Sequence, residues 1–189
     1  MKNKKFKLFA SLTSLVMVVA VMAVGVWAAT GATVGVTSKV SFTATEGFIG
    51  TITGTITGAA TGAVNNAEIA TIDYTTGNAT TPSWDIGELS FAAPNAAGVV
   101  ASIVYQVELN VTALEAGKKV TAAVTMADGW AGSGTTFTNG NLKAVISNGE
   151  QLTSTGTITT TVTVTVANAL VEISKADVNF NVAYTTANA

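Results

Sequence analysis

Two carboxylates beside a tryptophan come nearest to a catalytic constellation in this sequence. Asp85 and Glu88 flank Ile86-Gly87, and Asp85 follows Trp84 directly. A pair of carboxylates can carry out glycoside hydrolysis, and an aromatic ring beside acids is typical of a sugar site. The competing interpretation is a turn that enters a strand, with Trp84 in the hydrophobic core. We favour the turn and predict that these residues are not catalytic.

Two other arrangements fall short of a chemical site. A Ser–Lys dyad could form from Ser174 and Lys175, but adjacent residues of a strand point to opposite faces. Asp128, Asn139 and Asn141 are oxygen donors in predicted loops, yet they lack the dense acidic spacing of a calcium loop. We interpret them as residues of Asx-turns.

The residue types that most enzymes use are missing. The chain has no His, no Cys and no Arg. Without His no side chain has an unperturbed pKa near neutrality, and without Cys there is no thiolate nucleophile or zinc ligand. We therefore predict a protein that is not an enzyme, with no catalytic, cofactor-binding or metal-binding residues and no cofactor.

The first 28 residues have the layout of a secretory signal peptide. Four of the nine lysines lie within the first seven residues, and an apolar stretch follows from Leu8 to Ala29. Small residues at its end predict cleavage between Ala28 and Ala29, with cleavage after Gly31 or Ala32 as the second choice. The alternative is an uncleaved anchor, because about 22 residues could span a bilayer. We expect a helical leader that is removed, a secreted or cell-surface protein, and no membrane contact afterwards.

Residues 29–189 are expected to form a single domain. They contain five lysines and eleven acids, a net charge of −6. An acidic surface without arginine binds phosphate backbones poorly, so nucleic acid is excluded as a partner. A chain of this length can bury about 70% of its unfolded surface, which is enough for a core without disulfides.

Alternation of polar and apolar residues dominates the mature chain. Every second residue from Thr153 to Thr165 is threonine, and from Ile158 onward the intervening positions are apolar except Thr160. Such a stretch is a strand with one hydroxyl face and one apolar face, and β-branched residues favour it. The clearest buried strand runs from Val99 to Val111. With no crossover helix in sight, the pattern predicts an all-β fold, an antiparallel β-sandwich (jelly-roll or Ig-like) of about nine or ten strands.

Three turn signals punctuate these strands. The segment Leu114–Lys118 has Gly117 where a positive φ is needed. Asn139-Gly140 lies between apolar residues and predicts a type I′ hairpin. Asn148-Gly149 predicts a second tight hairpin just before the threonine strand.

A run of glycines alternates with threonine between Gly50 and Gly58. Glycine inside a strand usually marks close approach by another backbone or a large ring. We favour the interpretation that Trp84 or Trp130 covers these glycines within the domain. The alternative is that the glycines line an open groove for an incoming strand.

The threonine-rich surface raises two further hypotheses. Asn78-Ala79-Thr80 and Asn110-Val111-Thr112 match the glycosylation sequon, although Asn110 lies in a predicted strand and chance matches are common in such a sequence. Evenly spaced threonines also occur on ice-binding surfaces. Ordinary cross-strand Thr pairing is the interpretation that we favour.

The layout resembles the TasA/camelysin type of secreted bacterial matrix and cell-surface fibre proteins. The similarity rests on the leader ending Gly25-Val26-Trp27-Ala28-Ala29, the Thr/Val-rich first strand, and the segment Ser83–Phe91 preceding a long strand. Leu114–Lys118 resembles the family's Leu-x-Pro-Gly-Asp turn, with Ala116 in place of its proline, and Thr30 stands where the family has Phe. The resemblance implies a jelly-roll-like sandwich that assembles by donating an N-terminal strand.

Two functions follow as hypotheses. The first is a non-catalytic structural protein of the bacterial cell surface or extracellular matrix, a homo-oligomer or fibre built by β-strand exchange. The alternative is a monomeric adhesin or carbohydrate-binding module that contacts cell-wall or other glycans. Burial of Trp84 and Trp130 favours the scaffold, and exposure favours sugar binding. The pairing of residues 29–45 bears on the same choice, since pairing within the domain favours the monomeric module.

Overall fold

Strands account for all the regular structure in the residues that are described. A computed structural model of the chain describes residues 33–58, 67–73, 82–92, 102–166 and 176–189. The strands are β1 (Thr33–Ala44), β2 (Phe48–Thr57), β3 (Ala67–Asp73), β4 (Ser83–Ala92), β5 (Ser102–Leu114), β6 (Lys118–Met126), β7 (Ala131–Ser133), β8 (Thr136–Asn139), β9 (Leu142–Ser147), β10 (Gly156–Val166) and β11 (Ala176–Asn188). The prediction of an all-β sandwich is confirmed.

The strands form two sheets. One has four strands in the order β4-β1-β11-β6, and the other has seven in the order β3-β2-β5-β10-β9-β8-β7. The pairings are antiparallel except one: β1 and β11 run parallel, side by side in the middle of the four-stranded sheet. The sequence predicted nine or ten strands, and the described residues form eleven. The additional one is β7, a three-residue strand in a stretch whose glycines and serine predicted only a loop.

The predicted alternation sets the core. In β5 every second residue from Ile103 to Val111 is buried, and β11 buries Val178, Phe180, Val182 and Tyr184 in the same way. In β10 the apolar positions and Thr160 are buried, while Thr157 and Thr159 are exposed on the opposite face. Each sheet thus turns one face toward the other, as the period of two requires.

Two of the three turn predictions are confirmed. Gly117 has a φ of 76° in the turn between β5 and β6. β8 and β9 form a tight hairpin in which Asn139 pairs with Leu142, so the loop residues are Gly140 and Asn141. The hairpin is therefore displaced by one residue from the Asn-Gly pair that signalled it.

The second tight hairpin, at Asn148-Gly149, is wrong. β9 and β10 do pair, but their register begins with Ser147 opposite Thr161, and a long connection lies between them. This connection crosses to β6 of the other sheet, where Leu152 exchanges backbone hydrogen bonds of 2.8 and 2.9 Å with Val120. The side-chain oxygen of Asn148 also accepts a hydrogen bond from the backbone N–H of Val124. The edge of a sheet carries unpaired backbone groups, and satisfying those of β6 requires more chain than a two-residue turn.

Several sequence predictions lie outside the described residues. They are the leader over 1–28, the sequon at Asn78 and the pair Ser174-Lys175. Within the ranges given above, no helix is long and apolar enough to cross a membrane.

Candidate functional site

The two candidate carboxylates lie on the outer face of β4, away from the tryptophan. Trp84 is buried, with 6% of its surface exposed, whereas Asp85 and Glu88 are exposed. Asp85 forms an ion pair with Lys39 of β1 at 2.9 Å. Because Trp84 points into the core and its neighbour points outward, the ring and the carboxylate do not line one sugar site.

A β-bulge explains why the apolar run of β4 does not follow strict alternation. Ser38 of β1 pairs with Gly87, and the next residue, Lys39, pairs with Asp85, so Ile86 is the extra residue. Gly87 has a φ of 78°, a conformation that glycine adopts without strain. The bulge lets both Trp84 and Leu89 face the core although their positions differ in parity.

No metal site is assembled by the described part of the chain. Among those residues no group of three or more His, Cys, Asp or Glu side chains could hold a metal ion. Asp128 is exposed in the loop before β7, and Asn139 and Asn141 are half-buried at the β8–β9 hairpin.

The glycines of β2 meet neighbours within the domain. A Cβ at Gly54 would collide with the six-membered ring of Trp84, and a Cβ at Gly50 would lie 2.8 Å from the carbonyl oxygen of Asn110. Gly58 adjoins the backbone of Ser102 in the same way, and its φ is 80°. The prediction that Trp84 covers these glycines is therefore confirmed at Gly54, and the open groove at that position is wrong. Trp130 is elsewhere, half-buried, with its indole N–H donating to the carbonyl oxygen of Asp177 at 3.3 Å.

The threonine face of the seven-stranded sheet is built in rows. Thr51 of β2 and Thr157 of β10 flank Asn110 of β5, and the same arrangement repeats along the three strands. Asn110 is exposed on this face. Within each row a β5 residue separates the threonine of β2 from that of β10. Direct Thr–Thr pairs occur between other strands: Thr51 pairs with Thr71 of β3, and Thr121 of β6 pairs with Thr185 of β11, where the two hydroxyls are hydrogen-bonded at 2.9 Å.

The strand β1 is an interior strand that pairs within its own domain. It pairs antiparallel with β4 on one side and parallel with β11 on the other, nine residue pairs in each case. Val36, Val40 and Phe42 are at most 1% exposed. Burial of these side chains is worth roughly 1.5–3 kcal/mol each, so the sandwich requires a strand in this position.

Side chains on the outer face join β1 to β11. Asn179 accepts a hydrogen bond from the backbone N–H of Lys39 at 2.9 Å. Asn181 accepts one from Ser41 and donates one to Thr43, both at 3.2 Å. We call the backbone pairing of β1 with β11, together with these side-chain bonds, the terminal-strand seam.

Three residues connect β1 to β2 in the opposite sheet. In this hinge, Thr45–Gly47, the Thr45 N–H donates to the carbonyl oxygen of Tyr184 at 3.0 Å. The Thr186 hydroxyl donates to the carbonyl oxygen of Glu46 at 2.6 Å, and its backbone N–H donates to the Thr45 hydroxyl at 2.7 Å. Gly47 has a φ of 110°. The hinge is short and is tied to the end of β11.

The alternation of the sequence predicted that Tyr105 and Tyr184 face inward, and both are buried, but it did not predict the surroundings of their hydroxyls. The Tyr105 hydroxyl lies 2.6 Å from the Ser38 hydroxyl and shares a hydrogen bond with it between the two sheets. Burial raises the pKa of Tyr105 to about 12, and the bond to Ser38 opposes that rise. The Tyr184 hydroxyl is buried with no hydrogen-bond partner among the described residues, and burial raises its pKa too. The sequence held one sign of the hydrogen bond at Tyr105: Ser38 is a polar residue at an inward position of β1.

Comparisons with known proteins place the chain in no family. No protein-family model matches it, and no curated protein matches it. Among solved structures it is similar to the crystal structure of RahU protein in complex with a TRIS molecule, at 13% identity over 82% of this chain and 96% of that one. The TM-score is 0.18, and a likeness at this level carries no inference about fold or function.

Proposed function

We propose that the mature chain is a non-catalytic, secreted structural protein of the bacterial cell surface or extracellular matrix that assembles by β-strand exchange. The observation that carries the proposal is the position of β1. It is the first strand of the described domain, it fills the centre of a sheet, and a three-residue hinge joins it to the rest. A β1 strand from a second copy could make the same contacts with β4 and β11.

Strand exchange is physically economical in this arrangement. The buried side chains of β1 and the seam bonds are identical whether β1 belongs to the same chain or to a neighbour, so their energies cancel. The difference lies in Thr45–Gly47, whose hydrogen bonds to Tyr184 and Thr186 are made in the closed form. Short hinges favour exchange between protomers.

The residue chemistry supports a scaffold over a catalyst. The outward acids of β4 are exposed, and Asp85 is paired with Lys39. The resemblance to the TasA/camelysin type of fibre proteins points the same way and implies the same N-terminal strand.

The alternative is a monomeric adhesin or carbohydrate-binding module, and pairing of β1 within its own domain favours it. Burial of Trp84 speaks against that residue as a sugar-stacking platform, because such a ring must lie on the surface. The cysteine mixing experiment described next distinguishes the fibre protein from the monomeric module.

The test uses two single-cysteine variants of a chain that has no cysteine of its own. Thr43 and Ala183 face each other across the seam on its outer side. Thr43→Cys protein is mixed with Ala183→Cys protein at high concentration under mild oxidation. Exchange predicts disulfide-linked heterodimers, because β1 of one chain then lies beside β11 of the other.

The matched control replaces Thr43→Cys by Thr53→Cys, an outward residue of β2 in the other sheet. Strand exchange would be refuted if the test mixture gave no more heterodimer than this control and the wild type sedimented as a monomer at every concentration. That result would favour the monomeric module. The double variant Thr43→Cys/Ala183→Cys should lock β1 in its own domain and prevent assembly until it is reduced.

A further inference from the structure

The two strands nearest the ends of the described chain lie side by side and parallel. Val36 is opposite Ala176 and Ala44 is opposite Tyr184, with a constant offset along the seam. Because the strands are parallel, the chain enters β1 at one end of the sheet and leaves β11 at the other end. A pull on the two ends of the chain therefore acts along the strands.

This direction of loading is the one that a sheet resists best. When parallel strands are pulled from opposite ends, every hydrogen bond of the ladder is loaded in shear at once. When they are pulled from the same end, the bonds open one after another. The seam has nine residue pairs to share the load.

Neither loaded strand is at an edge. β1 is also paired with β4 over nine residues, and β11 with β6 over nine. Either strand must therefore slide past two neighbours before it leaves the sheet. The side chains of Asn179 and Asn181 add bonds across the seam, and the N–H of Ala189 donates to the carbonyl oxygen of Gly117 at 2.9 Å.

We propose that the terminal-strand seam is a mechanical clamp that carries tension applied between the N-terminal segment and the C-terminus. The inference rests on the proposed function in taking the protein to be a structural component that is held at both ends. In an exchanged fibre the seam lies between copies. Tension then enters β1 through the hinge Thr45–Gly47 and enters β11 at Ala176, which are again opposite ends of the seam, so the ladder is still loaded in shear. In a closed monomer the same seam resists extension of the single chain.

Single-molecule force spectroscopy on the monomeric mature chain tests the clamp. In the shear geometry, handles are attached to the N-terminus and to Ala189. In the peeling geometry, they are attached through Thr37→Cys and Asp177→Cys, which face each other across the seam at its first end. Forced unfolding reports the barrier to rupture, and we expect a rupture force at least about threefold higher in shear than in peeling. Circular dichroism and melting temperature must show that the cysteine variant is folded.

A second variant tests whether the rupture force depends on the seam itself or on the stability of the whole sandwich. Asn179→Ala/Asn181→Ala removes side-chain bonds across the seam and should lower the shear rupture force. The matched control, Thr51→Ala/Thr53→Ala on β2, lies outside the path of the force and should leave it unchanged.

Equal rupture forces in the two geometries would overturn the clamp, and so would a control pair that weakens the protein as much as the seam pair. Failure of strand exchange is a different outcome. It appears in the cysteine mixing experiment and leaves the force on a single monomer unaltered. A strong clamp without exchange would assign the seam to tension within one chain.

Discussion

The two buried tyrosines provide a matched pair for a stability test. Both side chains are fully buried, but Tyr105 shares a hydrogen bond with Ser38 and Tyr184 has no partner among the described residues. Replacing Tyr105 by Phe leaves the Ser38 hydroxyl buried and unpaired, which costs about 1–3 kcal/mol. Replacing Tyr184 by Phe removes a hydroxyl that gave up its water without compensation, so we expect no loss of stability and a gain of up to roughly 2 kcal/mol.

Urea and thermal unfolding measure both effects. For a domain of this size, 1 kcal/mol corresponds to about 2–4 °C in melting temperature, so Tyr105→Phe should melt several degrees below the wild type and Tyr184→Phe at the wild-type temperature or above it. In Ser38→Ala/Tyr105→Phe both partners are removed, and most of the loss seen in Tyr105→Phe should be recovered. A loss of more than about 1 kcal/mol in Tyr184→Phe would refute the reasoning, because it would mean that this hydroxyl makes a stabilising bond.

We expect the same tyrosines to make the fold less stable at alkaline pH. The folded protein holds these phenolic protons to a higher pH than the unfolded chain, which releases them near pH 10. Above pH 10 the unfolded state binds fewer protons, so the free energy of unfolding falls as pH rises. For Tyr105 the loss runs from pH 10 to about 12, at about 1.4 kcal/mol per pH unit. Tyr105→Phe should show a shallower decline than the wild type in unfolding measured across that range.

Two further predictions concern glycines, each with a control in the same chain. Gly54→Ala places a methyl group against the ring of Trp84 and should destabilise by about 1–3 kcal/mol, whereas Gly35→Ala, which has open space around its Cβ, should change stability by less than about 1 kcal/mol; equal melting temperatures would contradict the packing. Gly140→Val and Gly149→Val should both cost more than about 1 kcal/mol because both need a positive φ. Gly149→Val should be the worse, since its Cβ also meets a carbonyl oxygen of β10, and the reverse order in chemical denaturation would refute this.

The predictability of this fold depended on the range of the interactions. Alternation fixes which side of β5 or β11 is buried, because that choice needs only the period of a strand and a core. The parallel pairing of β1 with β11 joins residues 140 positions apart, and no local pattern specifies it. The hairpin at Gly140 could be read from two residues, whereas the connection from Asn148 depends on the edge of β6 in the other sheet. In the same way, Gly54 predicted a close contact inside a strand, but which ring makes that contact, Trp84, depends on how the two sheets stack.

The seam between the first and last strands also determines when the protein can fold. Bringing together residues 140 positions apart carries a loop-closure entropy of about 4 kcal/mol, and contacts of such long range slow folding. As the chain is synthesised, β1 has β4 as a partner early, but its second neighbour is the final strand. The four-stranded sheet is therefore completed only after β11 has been made. Until β11 is made, one side of β1 stays unpaired, and its backbone N–H and C=O groups are open to pairing with another strand.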